Sequence, residues 1–259
     1  MDLGLSGKRA IVCASSRGLG RGCAEALAAE GVSLVLNGRT SETLEETAAA
    51  IRDAHRVEVS AIAADIATPE GQQAVLDAAP DADILVNNAG GPPPGQWTDW
   101  DAGDWRAAVE QNMITPIMLM KAVLPGMMER GWGRVVNITS TSVKAPIPIL
   151  GLSNGARAGL TGFVAGLARQ VAHSGVTVNN LLPGPFDTDR LKGTMEAVAQ
   201  KEGRPLDEVR EERAASNPTR RFGQASEFGA VCAFLCSQHA AYMTGQNVVL
   251  DGGAYPGTL

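Results

Sequence analysis

Residues 8–30 read KRAIVCA, then SSRGLG, then an alanine-rich RGCAEALAAE: a short apolar run, a glycine-bearing turn and a helical stretch. No other segment limits the possible folds as strongly. A strand that turns through glycine directly into a helix sets the helix start, with its unpaired backbone N–H groups, at the end of the strand. Such an end attracts phosphate, and Ser15, Ser16, Arg17, Gly18, Leu19 and Gly20 supply small residues and free donors for a pyrophosphate to approach. A plain strand-to-helix turn would use one glycine, and this loop carries a run.

The same alternation continues along the chain. Residues 32–37, 58–63, 84–86, 133–138, 176–182 and 247–250 are further strand candidates. Helical patterns at 42–54, 104–130, 155–172 and 226–237 separate many of them, and Thr68 caps another helix that opens at Pro69. This pattern predicts an α/β fold: one Rossmann-type, doubly wound domain over residues 1–259, with a mostly parallel seven-stranded sheet flanked by helices. A chain of 259 residues can bury one sizeable core. Its net charge of −6, without a basic stripe, excludes nucleic acid as a partner. No apolar run reaches about 18 residues, and the opening MDLGL lacks a signal peptide's basic start, so no membrane partner and a cytoplasmic location are expected. Cys13, Cys23, Cys232 and Cys236 form no CxxC pair and read as small buried hydrophobes in a reducing compartment, with no metal site.

The second strand ends at Gly38-Arg39. A carboxylate there would hold the ribose 2′-hydroxyl of NAD, whereas an arginine accommodates the extra phosphate of NADP. Arg39 stands in the acid's place and Arg17 can approach the same phosphate, which favours NADP(H) over NAD(H) unless both are ordinary solvated charges. Asp65-Ile66 closes the third strand; Asp65 is placed to meet the adenine amino group or to serve as a turn residue. The fourth strand runs into Asn87-Asn88-Ala89-Gly90.

NNAG after the fourth strand, joined to ASSRGLG after the first, resembles the short-chain dehydrogenase/reductase family across residues 5–253, and in particular its 3-oxoacyl-carrier-protein reductase branch. The resemblance implies an NAD(P)-dependent oxidoreductase acting on a small carbonyl or hydroxy substrate, assembled as a homotetramer on helices 104–130 and 155–172. It places Asn88, Ala89 and Gly90 against the cofactor. Asn112 would hold a relay water where Pro116 disturbs its helix, and Ser140 would polarise the substrate carbonyl. In the Pro183-Gly184…Thr188 segment, Thr188 would bond the nicotinamide carboxamide. The family usually opens its first loop with Thr-Gly; this chain has Cys13-Ala14, and the turn should survive with a small shift.

A larger departure lies at the centre. The family places a tyrosine thirteen residues after the serine and a lysine four further on, and here those positions hold Ser153 and Arg157. A serine hydroxyl is a far weaker acid than a phenol of pKa about 10, and guanidinium does not titrate usefully. Arg157 can fork onto ribose hydroxyls and supply charge, but it cannot pass on a proton. Tyr242 and Tyr255 fall near the C-terminus, and His55, His173 and His239 fall in or beside helices. Lys144, four residues past Ser140, is the candidate substitute acid, because a desolvated lysine loses its proton more readily. Its other reading is a solvated loop charge. Two functions follow: reduction of a ketone or 3-oxoacyl carbonyl through a non-standard proton relay, or an NADP(H)-binding pseudoenzyme acting as sensor or partner subunit. GPPPG at 91–95 would form a stiff rim, with Trp97, Trp100 and Trp105 beneath it or lining a pocket, and residues 188–217 a helical lid.

Overall fold

The computed structural model describes residues 1–258. Seven strands, β1 (Arg9–Val12), β2 (Ser33–Gly38), β3 (Val59–Ala63), β4 (Ile84–Asn87), β5 (Gly133–Ile138), β6 (Val176–Pro183) and β7 (Asn247–Leu250), form one sheet in the order β3-β2-β1-β4-β5-β6-β7. Every pairing is parallel. The chain therefore winds outward in both directions from the β1–β4 junction, and the crevice at their C-terminal ends is where such sheets hold ligands.

Alternate strand residues point to opposite faces and both faces are buried, which is why the strands read as continuous apolar runs. Ala10, Val12, Leu34 and Leu36 pack with Leu27 of α1 (Gly18–Ala29), Ile51 of α2 (Ser41–His55) and Phe228 of α9 (Ala225–Cys236). Ile11, Val35, Leu85 and Val135 face Val75 of α3 (Pro69–Ala78), Met120 of α5 (Thr115–Glu129) and Val164 of α6 (Gly151–Val171). All four cysteines are buried and free. No helix among the described residues is long and apolar enough to cross a membrane.

Three expectations change in detail. The helix expected at 104–130 is two, α4 (Ala102–Val109) and α5, joined by a π-helical segment Glu110–Ile114. Asp101 starts α4 early by accepting from the N–H groups of Gly103 and Asp104 at 2.6 and 3.0 Å. The helix expected from residue 155 begins at Gly151, so Ser153 lies within its first turn. The segment expected as a lid consists of α7 (Asp189–Glu202) and α8 (Leu206–Ala215), with Met195, Ala199, Val209 and Phe222 forming a small core of their own.

Candidate active site

The first loop is built as a cradle. Ala14 keeps the turn by adopting φ +46°, a left-handed conformation that costs a non-glycine residue about 1–2 kcal/mol. Ser15 is buried and faces inward: its Oγ donates to the Val12 carbonyl at 2.8 Å and its N–H to that of Asn37 at 2.8 Å, pinning the loop between β1 and β2. The Ser16 carbonyl accepts from Thr47 Oγ1 at 2.9 Å, and Leu19 packs down onto the core. Gly20 is obligatory, since a Cβ there would collide with the Ala14 carbonyl, which also accepts from Asn88 Nδ2 at 3.1 Å. Gly18 opens α1 at φ +56°, and Arg17 in the N-cap position offers the helix neither a side-chain cap nor an acid in its first turn. Free N–H groups above a glycine cradle fit the phosphates of a nicotinamide dinucleotide.

The residues expected around that dinucleotide differ in their commitments. Arg39 is exposed and has no hydrogen-bond or ion-pair partner among the described residues. Arg17 faces Asp189 of the lid at 3.5 Å. Asp65 is an exposed turn residue whose Oδ1 accepts from the Ala67 N–H at 3.0 Å, while Ile66 is buried beneath it. Ala89 is half-buried and Gly90 exposed at the end of β4. Pro183 ends β6, Gly184 donates to the Leu250 carbonyl at 2.9 Å, and Thr188 caps α7 by accepting from the Leu191 N–H at 3.4 Å.

Across the crevice lie the residues expected at the reacting centre. Ser140 follows β5 and its Oγ accepts from the Ser142 N–H at 3.1 Å, which leaves its own proton free to donate. Ser153 and Arg157 sit one turn apart on a single face of α6, 6% and 8% exposed. Arg157 Nη1 donates to the Ile138 carbonyl at 2.7 Å, fastening α6 to the end of β5 two residues before Ser140. Burial, and then the charge of Arg190, lower the Arg157 pKa to about 10. The wide turn at Glu110–Ile114 precedes Pro116 and holds Asn112, which is 2% exposed. Asn112 Nδ2 donates to the Ala108 carbonyl at 3.3 Å, whereas its Oδ1 is buried without a partner.

Lys144 is half-buried, and its Nζ lies 5.5 Å from the ring centroid of Tyr255, so the C-terminal tail rests against the loop that follows Ser140. Of the tryptophans, Trp97 is 80% exposed, and Trp100 and Trp105 meet edge to face at 6.3 Å against the start of α6. Two features escaped sequence reasoning. Arg190 on α7 donates to the Gly91 and Pro92 carbonyls at 2.8 and 3.0 Å, tying the lid to the proline rim. Beneath the site an asparagine row crosses four strands: Asn87 donates to Asn137 at 2.8 Å, Asn137 to Asn180 at 3.2 Å, and Asn180 to Asn247 at 2.8 Å. An asparagine in each of four consecutive strands was the only sequence trace of that row.

Residues 13–255 match the family model described as Enoyl-(Acyl carrier protein) reductase. The chain is 36% identical over 259 residues to a 3-oxoacyl-acyl-carrier-protein reductase of Vibrio cholerae serotype O1, covering 98% of this chain and 99% of that protein. It is 32% identical over 254 residues to the D-beta-hydroxybutyrate dehydrogenase of Cupriavidus necator, covering 96% and 98%. The crystal structure of L-sorbose reductase from Gluconobacter frateurii, complexed with NADPH and L-sorbose, superposes with a TM-score of 0.94 at 32% identity, covering 98% of each chain.

Proposed function

Since this chain belongs to the short-chain dehydrogenase/reductase family and is an NAD(P)-dependent oxidoreductase, we propose that it is an NADP(H)-dependent reductase of a ketone or 3-oxoacyl-type carbonyl that protonates its product without the family's tyrosine and lysine. The observation that carries the reading is the shared wall formed by Ser140, Ser153 and Arg157, where Arg157 fastens α6 to the strand end preceding Ser140. The nicotinamide cofactor supplies the hydride. Ser140 donates to the substrate oxygen, and the Arg157 charge favours the oxyanion that develops there. The unpartnered Asn112 Oδ1 accepts from a water, and Lys144 or that water delivers the proton.

Unpaired Arg39, and Arg17 with an exposed, exchangeable partner, support NADP(H) over NAD(H). Exposed Ile114 and Met118 on the α5 side and Phe163 on α6 support a homotetramer joined through these helices. Four free, buried thiols support a reducing cytoplasm.

The test is calorimetry with NADPH and NADH, followed by NADPH consumption against 3-oxoacyl thioesters and ketones. NADPH should bind at least about tenfold tighter, with the preference reversed in Arg39→Asp. Lys144→Met should lose turnover while NADPH binding persists; unchanged turnover would remove Lys144 from the relay. Absence of nucleotide binding would sink the whole reading.

A further inference from the structure

Arg157 is a buried cation for which the protein supplies no anion. Its single protein acceptor is the Ile138 carbonyl, and it takes part in no ion pair among the described residues. A guanidinium has five N–H donors, and a charge taken out of water is tolerated when it is paired or fully hydrogen-bonded. Nε and Nη2 of Arg157 have no protein acceptor, and neither is among the fully sealed, unpartnered polar atoms of the protein.

The neighbouring charge compounds the imbalance. Arg190, holding the rim at Gly91 and Pro92, is close enough to disfavour the charged form of Arg157. Of the carboxylates on the adjoining segment, Asp187 accepts from Arg210 at 3.1 and 2.7 Å, and Asp189 is exposed and faces Arg17 at 3.5 Å. Ribose hydroxyls could take up N–H donors of Arg157, but they are neutral. The phosphates of a dinucleotide would be held at the other side of the crevice, on the loop at residues 15–20. A substrate carboxylate would bring both the missing acceptors and the missing charge.

Building on the reductase reading above, we infer that the substrate of this site bears a carboxylate, held by Arg157 and Arg190 beside the carbonyl that is reduced. Guanidinium matches a carboxylate through two parallel N–H donors, a geometry that lysine in the same position does not provide. A carboxylate seated there also holds the carbonyl in one orientation against Ser140. The replacement of the family's lysine by Arg157 then acts on substrate choice as well as on the proton relay.

The experiment measures binding of pyruvate, acetoacetate and levulinate, each against its own methyl ester, by calorimetry with and without saturating NADPH. The expected result is at least one acid binding about tenfold or more tighter than its ester. That preference should collapse to near unity in Arg190→Met, a surface substitution, and in Arg157→Met, with Arg157→Lys recovering only part of it. Equal or absent binding within every acid–ester pair overturns the inference. Displacement of the acid by inorganic phosphate at equal concentration overturns the assignment to a carboxylate. Acid-selective binding in a protein that fails to bind NADPH upholds the carboxylate site and overturns the reductase reading. NADPH binding with ester turnover and no acid preference does the reverse.

Discussion

Two buried arginines mark opposite ends of β5, and the contrast between them separates what holds this molecule together from what it works with. Arg134, at the start of the strand, is 3% exposed. It donates to the carbonyls of Gly133 at 2.8 Å, Gly175 at 3.0 Å and Ser237 at 3.4 Å, and its guanidinium lies 4.5 Å from the centre of the Trp132 ring. Around it, Lys8 also sits over Trp132, and Asp83 pairs with Lys8 and Arg130. Arg157, beyond the other end, makes one hydrogen bond and adjoins a second cation. That same end holds the left-handed Ala14 and the orphaned Asn112 oxygen. Arg134 thus finds its acceptors within the protein, although Thr177 Oγ1 beside it is buried without a partner, whereas Arg157 is left with donors that the protein does not meet.

The largest effect expected from this contrast is in Arg134→Ala, which strips donors from buried carbonyls and should cost about 3 kcal/mol. Thermal melting should fall by roughly 10 °C while the folded fraction binds NADPH normally. Lost binding at an unchanged melting temperature would break the comparison.

Arg157→Met should act in the opposite sense, stabilising the fold by about 1–3 kcal/mol at neutral pH while abolishing carboxylate binding. Here the pH dependence is distinctive. Burial lowers the Arg157 pKa to about 10, well below the ordinary guanidinium value, so the folded state holds this proton more weakly than the unfolded state does. The destabilisation is complete below about pH 10 and fades as pH rises from there toward the ordinary guanidinium pKa. Urea denaturation of both proteins at pH 8 and pH 11 should show the advantage of the methionine variant shrinking; an advantage that grows would refute the assignment.

Ala14→Gly should relieve the left-handed backbone and raise stability by about 0.5–1 kcal/mol, net of the extra freedom of glycine in the unfolded chain. The smallest change is Asp189→Asn. It releases Arg17 from an exposed pair and should raise NADPH affinity a few-fold at low salt, with no gain for NADH and none for either at high salt. An equal gain for both nucleotides would mean that Arg17 does not read the extra phosphate.

Much of the fold was legible because its determinants are local. Apolar runs separated by glycine turns dictate strand, turn and helix within a few residues, and a parallel doubly wound sheet follows from their alternation. Ser153 and Arg157 were legible only through the family resemblance, which counts thirteen residues on from Ser140 and four further, and the structure sets both on one face of α6. The rest depends on contacts distant in sequence. Arg190 reaches Gly91 and Pro92 across 99 and 98 positions, and Lys144 meets a ring in the C-terminal tail. The π-helical turn at Asn112 leaves no pattern distinct from an ordinary helix, and the asparagine row becomes visible only when strand order is known. Asp65 could be read as ligand or turn residue, and its bond to Ala67 uses it as a turn residue. The relatives found are oxidoreductases, so they lend nothing to the alternative of a catalytically silent nucleotide sensor.

The asparagine row has a sense of direction. Asn87, Asn137 and Asn180 each donate to the next asparagine toward β7, and Asn87, whose own Oδ1 has no partner, also donates to the Pro116 carbonyl at 3.4 Å. A carbonyl can only accept, so Pro116 fixes which way Asn87 points, and each amide then fixes the next. One backbone oxygen on α5 thus orients four side chains in four strands, as the first tile orients a line of dominoes. Reversing any one member would set two oxygens or two amino groups against each other, so the row keeps its polarity as a unit or loses it as one.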